Sequence, residues 1–351
     1  MNKRSLLSLS LILAAALALT FFKVPLAGSQ GLTLVAAQVS GDLPLADPDS
    51  AVWQQATAID VPLSAQNVVR PMMLNTNVKS LTARALHNGT QLAVLVEWAD
   101  ETQNDSMVRV QDFRDAAAVQ FSLAETAPFF CMGQQGGNVN IWHWKADWQA
   151  DIAARQDMES LYPNMYVDQY PFTSAADEPV LAAPADYTDP NYLPALASGN
   201  LFASATRTSP VEDVIAGGFG SLTAQPAEGQ NVQGYGVWAD GKWRVIFSRD
   251  LASAEADDVA FTAGNVYSMA FAAWDGANDE RNGQKSTSQW VSLQVAGAGG
   301  ATRPVAAQPA DTAAASTEGI WWAVIPMIMM AGLILGLVAV VFLFSKLPDK
   351  K

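Results

Sequence analysis

Two stretches of the chain combine residue types that can do chemistry. The first, Pro128 to Lys145, reads Pro-Phe-Phe-Cys-Met-Gly-Gln-Gln-Gly-Gly-Asn-Val-Asn-Ile-Trp-His-Trp-Lys. An apolar strand end meets a glycine-rich loop, and aromatic residues then return. Glycines remove Cβ obstruction and let a backbone approach a large flat ligand, aromatic side chains wall it, and Met132 sets a soft thioether at the turn. Taken alone, a methionine beside phenylalanines is also ordinary core filler. In the second stretch, Phe271 to Trp290, a strand runs through Trp274-Asp275-Gly276 into a polar turn region, and Lys285 precedes another strand. An isolated lysine there is otherwise a solvated loop residue.

What the chain lacks sharpens both stretches. Its single cysteine, Cys131, excludes an intramolecular disulfide, a cysteine zinc site, an iron–sulfur cluster and the Cys-x-x-Cys-His attachment of c-type haem. Two histidines, His87 and His143, leave little room for histidine metal chemistry, so a metal here must use less usual ligands such as methionine and lysine. Cys131 reads as a small buried residue beside Met132, and His87, next to an Asn-Gly turn, as exposed. His143 lies on a strand between tryptophans and is an alternative ligand.

The elements that must position these residues are mainly strands. Gln91 to Trp98 puts Leu92, Val94, Val96 and Trp98 on one face, and Asn88-Gly89 joins it to Leu81–Leu86 as a hairpin. A second hairpin turns at Asp240-Gly241, with Tyr235, Val237 and Ala239 leading in and Trp243, Val245 and Phe247 leading out. Residues 116–123, 266–273 and 289–295 read as further strands. One helix is expected over Asp147–Leu161, with Asp147 as N-cap. From Pro163 to about Pro210 the chain is irregular and reads as an insertion between strands that covers a site. Without βαβ alternation, the expected fold is all-β, an antiparallel two-sheet β-sandwich with a loop and helix insertion.

The ends differ from this body. Met1-Asn2-Lys3-Arg4 and the uncharged run Ser5–Phe22 read as a secretory signal, with cleavage before Gln38 or, as a second site, after Ala27-x-Ser29; an uncleaved anchor is the alternative. Residues 320–344 carry no charge over 25 positions, long enough for a transmembrane helix. Trp321 and Trp322 suit one interface, and Lys346, Lys350 and Lys351 place the C-terminus in the cytoplasm. The expected organisation is therefore 1–37 signal, 38–295 body, 296–318 flexible linker, 319–345 membrane helix and 346–351 cytoplasmic tail, with the body outside the membrane. In all, 351 residues carry 20 Lys+Arg against 34 Asp+Glu, a net charge of −14, and six of the basic residues lie at the ends. So acidic a body repels phosphate and excludes a nucleic-acid partner.

Across residues 43–295 the order of motifs resembles the haem-binding gamma subunits of ethylbenzene dehydrogenase, dimethyl sulfide dehydrogenase, selenate reductase and chlorate reductase. The similarity rests on Asp47–Trp53, Leu95–Thr102, Arg114–Phe121, Met132-Gly133, Asn140–Lys145, Gly217–Gly220 and Trp274 to Trp290. The resemblance implies a noncovalent b-type haem with methionine and lysine as axial ligands. Carried over by motif, these fall on Met132 and on Lys285 in its Gly-x-Lys-x-x-Ser-x-Trp context, with Lys242 as the alternative lysine. Gly133, Asn140, Trp142 and Trp274 are the further cofactor-binding candidates. It also implies an electron-transfer subunit, not a catalytic chain, whose partners are the iron–sulfur and molybdopterin subunits of a DMSO reductase-type complex and a cytochrome or quinol-linked carrier. The C-terminal anchor departs from the soluble periplasmic form common among such subunits. A haem-free carbohydrate-binding sandwich is the alternative, suggested by the many Trp and Tyr residues. A two-carboxylate glycosidase has least support, because no acid pair stands out.

Overall fold

Alternating apolar and polar side chains make most of the body extended, and Asn-Gly and Asp-Gly turns fold the extended segments back on their neighbours. The computed structural model describes residues 31–165, 195 and 200–297, without Val69, Glu125, Thr126, Phe130 and Ala205. Residues 1–30 of the expected signal, the linker from 298, the apolar run 320–344, the tail and most of the 163–210 insertion lie outside the described residues. No helix among the described residues is long and apolar enough to cross a membrane.

In chain order the strands are β1 (Thr33–Gln38), β2 (Ile59–Pro62), β3 (Ser64–Ala65), β4 (Ser80–His87), β5 (Gln91–Ala99), β6 (Ala116–Ser122), β7 (Val139–Lys145), β8 (Val211–Ala216), β9 (Thr223–Ala224), β10 (Gln233–Ala239), β11 (Lys242–Asp250), β12 (Val266–Trp274), β13 (Ser286–Thr287) and β14 (Val291–Val295). Two helices, α1 (Ala146–Ala153) and α2 (Met158–Leu161), follow β7. The main ladder runs β10-β11-β5-β4-β1-β14-β12-β6-β7-β8-β9. Its halves pack face to face: Trp98 on β5 meets Trp144 on β7 at 6.3 Å between ring centroids, and Trp144 meets Trp243 on β11 at 4.9 Å.

Both expected hairpins are present. Asn88 Oδ1 accepts the backbone N–H groups of Thr90 and Gln91 at 3.0 and 2.8 Å and closes the β4–β5 turn. Asp240 and Gly241, at φ 52° and 71°, turn β10 into β11 with both central residues left-handed, the geometry that matches strand twist. The sheet itself is mixed, which corrects the expectation of a purely antiparallel one. β1 pairs parallel with both β4 and β14, through Ala36↔Ala85 and Leu34↔Leu293. That strand comes from residues assigned to the leader, and its Leu34 and Ala36 are fully buried.

The expected helix also divides. It starts at Ala146, so Asp147 lies in the first turn, where its carboxylate pairs with Arg114 at 2.7 Å instead of capping. Asp151 Oδ1 then accepts the Gln156 N–H at 2.8 Å and turns the chain out of α1, and Asp157 caps α2 afresh.

Apolar packing among the described residues falls into three layers. The largest lies between the two halves and contains Trp98, Phe121, Trp142, Trp144 and Phe247. A second covers the outer face of β4, β5 and β11, where Val39, Leu43 and Trp53 pack on Leu86, Leu95 and Ile246. The third, with Ala116, Ala118, Met132, Ile141, Val214, Ala272 and Trp274, lies on the outer face of β6, β7, β8 and β12.

Candidate functional site

Strand β7 supplies two environments from one run of sequence. With period two, Asn140, Trp142 and Trp144 turn to the interior, and Val139, Ile141 and His143 to the outer layer. Asn140 is fully buried; it donates from Nδ2 to Asp213 Oδ1 at 2.6 Å and accepts from Trp142 Nε1 at 3.1 Å. Asn140 and Trp142 therefore brace the core behind the sheet and do not reach the site expected of them.

On the outer face lies a cavity of about 850 Å³, within the range of roughly 300–1,000 Å³ usual for small-molecule and cofactor sites. Its floor is paved by small side chains, Ala116 and Ala118 from β6 and Ala270 and Ala272 from β12. These four methyl groups lie side by side on paired strands and leave an apolar patch between Gln120 and Trp274. The run Ala116-Ala117-Ala118, within the Arg114–Phe121 motif, is the sequence signal for it.

Met132 and Lys285 meet at this floor. Lys285 Nζ lies 3.3 Å from Met132 Sδ, and the two residues are 7% and 9% exposed. Lys285 also stands 4.9 Å from the centre of the Trp274 ring. Burial lowers its pKa to about 8, with the Cys131 thiol acting weakly the other way. No carboxylate holds this amine among the described residues. Lys145 makes the contrast: also buried, it pairs with Glu212 and lies 3.8 Å from the Trp148 ring centre. Lys242, the alternative lysine, is exposed at the β10–β11 turn and is absent from the cavity lining.

The loop after Met132 is fixed by Gly133. At φ +75° a Cβ there would lie 2.7 Å from the Ala216 carbonyl oxygen and 2.9 Å from that of Gly137. The Met132 carbonyl accepts the Gly218 N–H at 2.8 Å, tying the methionine loop to the chain beyond β8. Trp274 donates its Nε1–H to the Asn282 carbonyl at 3.1 Å and stacks on His143, with ring centres 4.7 Å apart. His143 Nε2 is buried without a hydrogen-bond partner, and burial holds the imidazole well below its usual pKa, hence neutral. Cys131 half-faces the cavity and donates to the Ser288 carbonyl at 3.4 Å. Arg114, Arg155, Arg207 and Arg281 also line the cavity, the first three paired with Asp147, Asp157 and Asp151 of the same lining and Arg281 without an ion pair among the described residues.

His87 is fully buried, a correction to its expected exposure. β1 covers it: Gln38 pairs with His87, and Val39 N–H donates to its carbonyl at 2.9 Å. No tryptophan among the described residues is exposed, so those that suggested a sugar platform are core or half-buried.

A mostly β body with a ligand-sized cavity on one sheet face, where an amine without a carboxylate partner meets a thioether, defines a β-fold protein with a candidate ligand site. The chain belongs to the ethylbenzene dehydrogenase family, whose profile matches residues 50–286. It is similar to a protein described as a respiratory nitrate reductase heme subunit from Haloferax mediterranei, 25% identical over 270 residues, covering 74% of this chain and 75% of that one. It is also similar to the chlorate reductase gamma subunit of Ideonella dechloratans, 26% identical over 271 residues and covering 76% and 85%. The dimethylsulfide dehydrogenase gamma subunit of Rhodovulum sulfidophilum is 24% identical over 257 residues, covering 70% and 73%. These relatives are subunits of oxidoreductase complexes, and this chain is of their non-catalytic kind. Among solved structures, a family 9 carbohydrate-binding module from Caldicellulosiruptor kristjanssonii with glucose aligns at a TM-score of 0.35 and 7% identity over 78% of this chain and all of that one, too distant to carry an argument.

Proposed function

We propose that this chain is a haem b electron-transfer subunit, with Met132 and Lys285 as the axial ligands of a noncovalently held haem. The observation that carries the reading is the 3.3 Å approach of the Lys285 amine to the Met132 thioether on the cavity floor. An amine ligates iron only when deprotonated. Burial without a carboxylate partner favours that state, and the thioether is the soft donor that accepts such a centre. Trp274 and Ile141 wall the cavity, and Arg281, which forms no ion pair among the described residues, offers charge to a ligand's carboxylate. A bound haem supplies a one-electron couple whose potential is set by axial ligands, hydrogen bonds and burial.

The relatives' names, those of a heme subunit and of gamma subunits, support a place in a multi-subunit oxidoreductase; the motif resemblance supports iron–sulfur and molybdopterin subunits of a DMSO reductase-type complex as the partners, with electrons passed to or from a cytochrome or quinol-linked carrier. The uncharged runs 5–22 and 320–344 and the C-terminal lysines support export and a single-pass anchor with a cytoplasmic tail. Since β1 already begins at Thr33, processing after Ser29 is the site compatible with an intact sheet.

The test is an absorption spectrum, oxidised and reduced, of the full chain produced with haem supplied. A low-spin b-type spectrum is expected, altered in both Met132→Ala and Lys285→Ala. A folded chain without a haem band, or one whose spectrum ignores both substitutions, overturns the reading.

A further inference from the structure

Behind the loop that carries Lys285, three carboxylates converge from distant parts of the chain. Asp100 follows β5, Asp115 precedes β6 and Asp275 follows β12, and each offers one oxygen within 4.8 Å of the others. Asp115 is fully buried. Its Oδ1 accepts from Gly276 N at 2.8 Å, and its Oδ2 from Asn104 N at 2.7 Å and Trp243 Nε1 at 2.8 Å, which leaves one lone-pair direction of about four.

Asp100 is 6% exposed, and only its Oδ1 is engaged, by the Thr102 N–H at 3.1 Å and hydroxyl at 3.4 Å. Its Oδ2 has no hydrogen-bond partner; the Trp98 indole N–H acts on the carboxylate from outside hydrogen-bonding geometry. Asp275 likewise has one engaged oxygen, Oδ2 with Asn278 Nδ2 at 2.8 Å, and one orphan, Oδ1. Glu280 stands nearby, holding the Asp275 N–H at 3.0 Å.

Among the described residues no lysine or arginine forms an ion pair with any of the four. Burial, with mutual repulsion added, raises Asp100 to about 6 and Asp115 and Glu280 to about 7. Two of the three carboxylates of this cluster thus keep an orphaned oxygen, one of them on a side chain more than nine-tenths buried, and no counter-charge pairs with them among the described residues. Such an arrangement is costly unless a cation or shared protons occupy it.

We propose that Asp100, Asp115 and Asp275 bind a hard divalent cation, calcium, that clips the ends of β5, β6 and β12 together behind the Lys285 loop. The donors are all oxygen, which excludes soft metals. Their irregular spacing, with protein amides already on Asp115, suits the tolerant coordination of calcium better than the strict octahedron of magnesium. The site is distinct from the cavity, whose lining includes the neighbouring Glu280 but none of the three aspartates, and the cation stands whether or not the cavity holds haem.

The test uses the full chain, stripped with a chelator and titrated with calcium chloride alone near pH 7.5. One calcium per chain is expected by calorimetry, with a rise in Tm that magnesium reproduces weakly. Asp100→Asn and Asp275→Asn, each checked for folding by circular dichroism, are expected to weaken calcium binding about tenfold or more and to lose the Tm rise. Asp275 is only half-buried, so its amide keeps the test open if Asp100→Asn does not fold. No calcium heat and no Tm response, with stability instead gained on acidification, overturns the proposal in favour of shared protons. A calcium response unchanged in the folded variants overturns it as well.

Discussion

At the scale of single residues, the body holds its polar groups where their partners are few, and this makes them sensitive. Gly133 sits at φ +75° with carbonyl oxygens where a Cβ would be. Gly133→Ala is expected to destabilise the chain by about 1–3 kcal/mol and to weaken haem retention, because the loop that shifts is the one carrying Met132. Denaturant unfolding and haem loading of the purified variant check this. Asp213 gives a pH prediction. Burial first, and then the Asp258 charge, raise its pKa from 3.8 to about 8. Between these values the folded chain keeps a proton that the unfolded chain has released, so the group's contribution to stability is full below about 4 and is lost as pH rises toward about 8. Asp213→Asn keeps the acceptor that Asn140 and Gln225 use. It is expected to flatten the stability profile over that window by close to one proton's slope, as read from denaturant midpoints at several pH values. An unchanged slope would show that Asp213 is ionised throughout.

At the scale of elements, β1 decides whether the two halves of the sheet are one ladder. It bridges β4 and β14 with Leu34 and Ala36 fully buried, and its removal opens the ladder at its middle and uncovers His87. A chain beginning at Gly31 is expected to fold, and one beginning at Gln38 to be insoluble or to show no cooperative unfolding; comparing the yields and melting curves of the two checks this. The hairpins were legible beforehand because Asn-Gly and Asp-Gly turns fix register locally. β1 was not, because its apolar residues continue a leader-like composition and its partners are about 50 and 260 residues away, as Ala36↔Ala85 and Leu34↔Leu293 show. The helix was legible in position but not in length, since Asp151 and Asp157 read as ordinary acids until their backbone partners are seen.

At the scale of the whole molecule, charge is the distinguishing property. A net charge of −14, with lysines gathered at the two ends, leaves the body strongly acidic. Association with a redox partner that presents a basic face is expected to slow by about tenfold or more between low and physiological ionic strength, since steering by exposed charge is screened over about 8–10 Å. Stopped-flow electron exchange with a basic cytochrome at graded salt measures this. A salt-independent rate would argue for an apolar docking surface instead.

The sequence by itself determined the local and the collective: strand alternation, the two tight hairpins, the acidic body between apolar ends, and the ordered motifs that mark the family. It also singled out Met132, Trp274 and Lys285. The tertiary structure decided which face each residue shows and what covers that face. Period two separates Trp142 from His143, but only the packing of β5 and β11 on one side makes that side the core and leaves the other as a cavity floor. Met132 and Lys285 are 153 residues apart, and no local rule joins them. They meet because β6, β7, β8 and β12 share one sheet and because Gly133 lets the methionine loop close against Ala216.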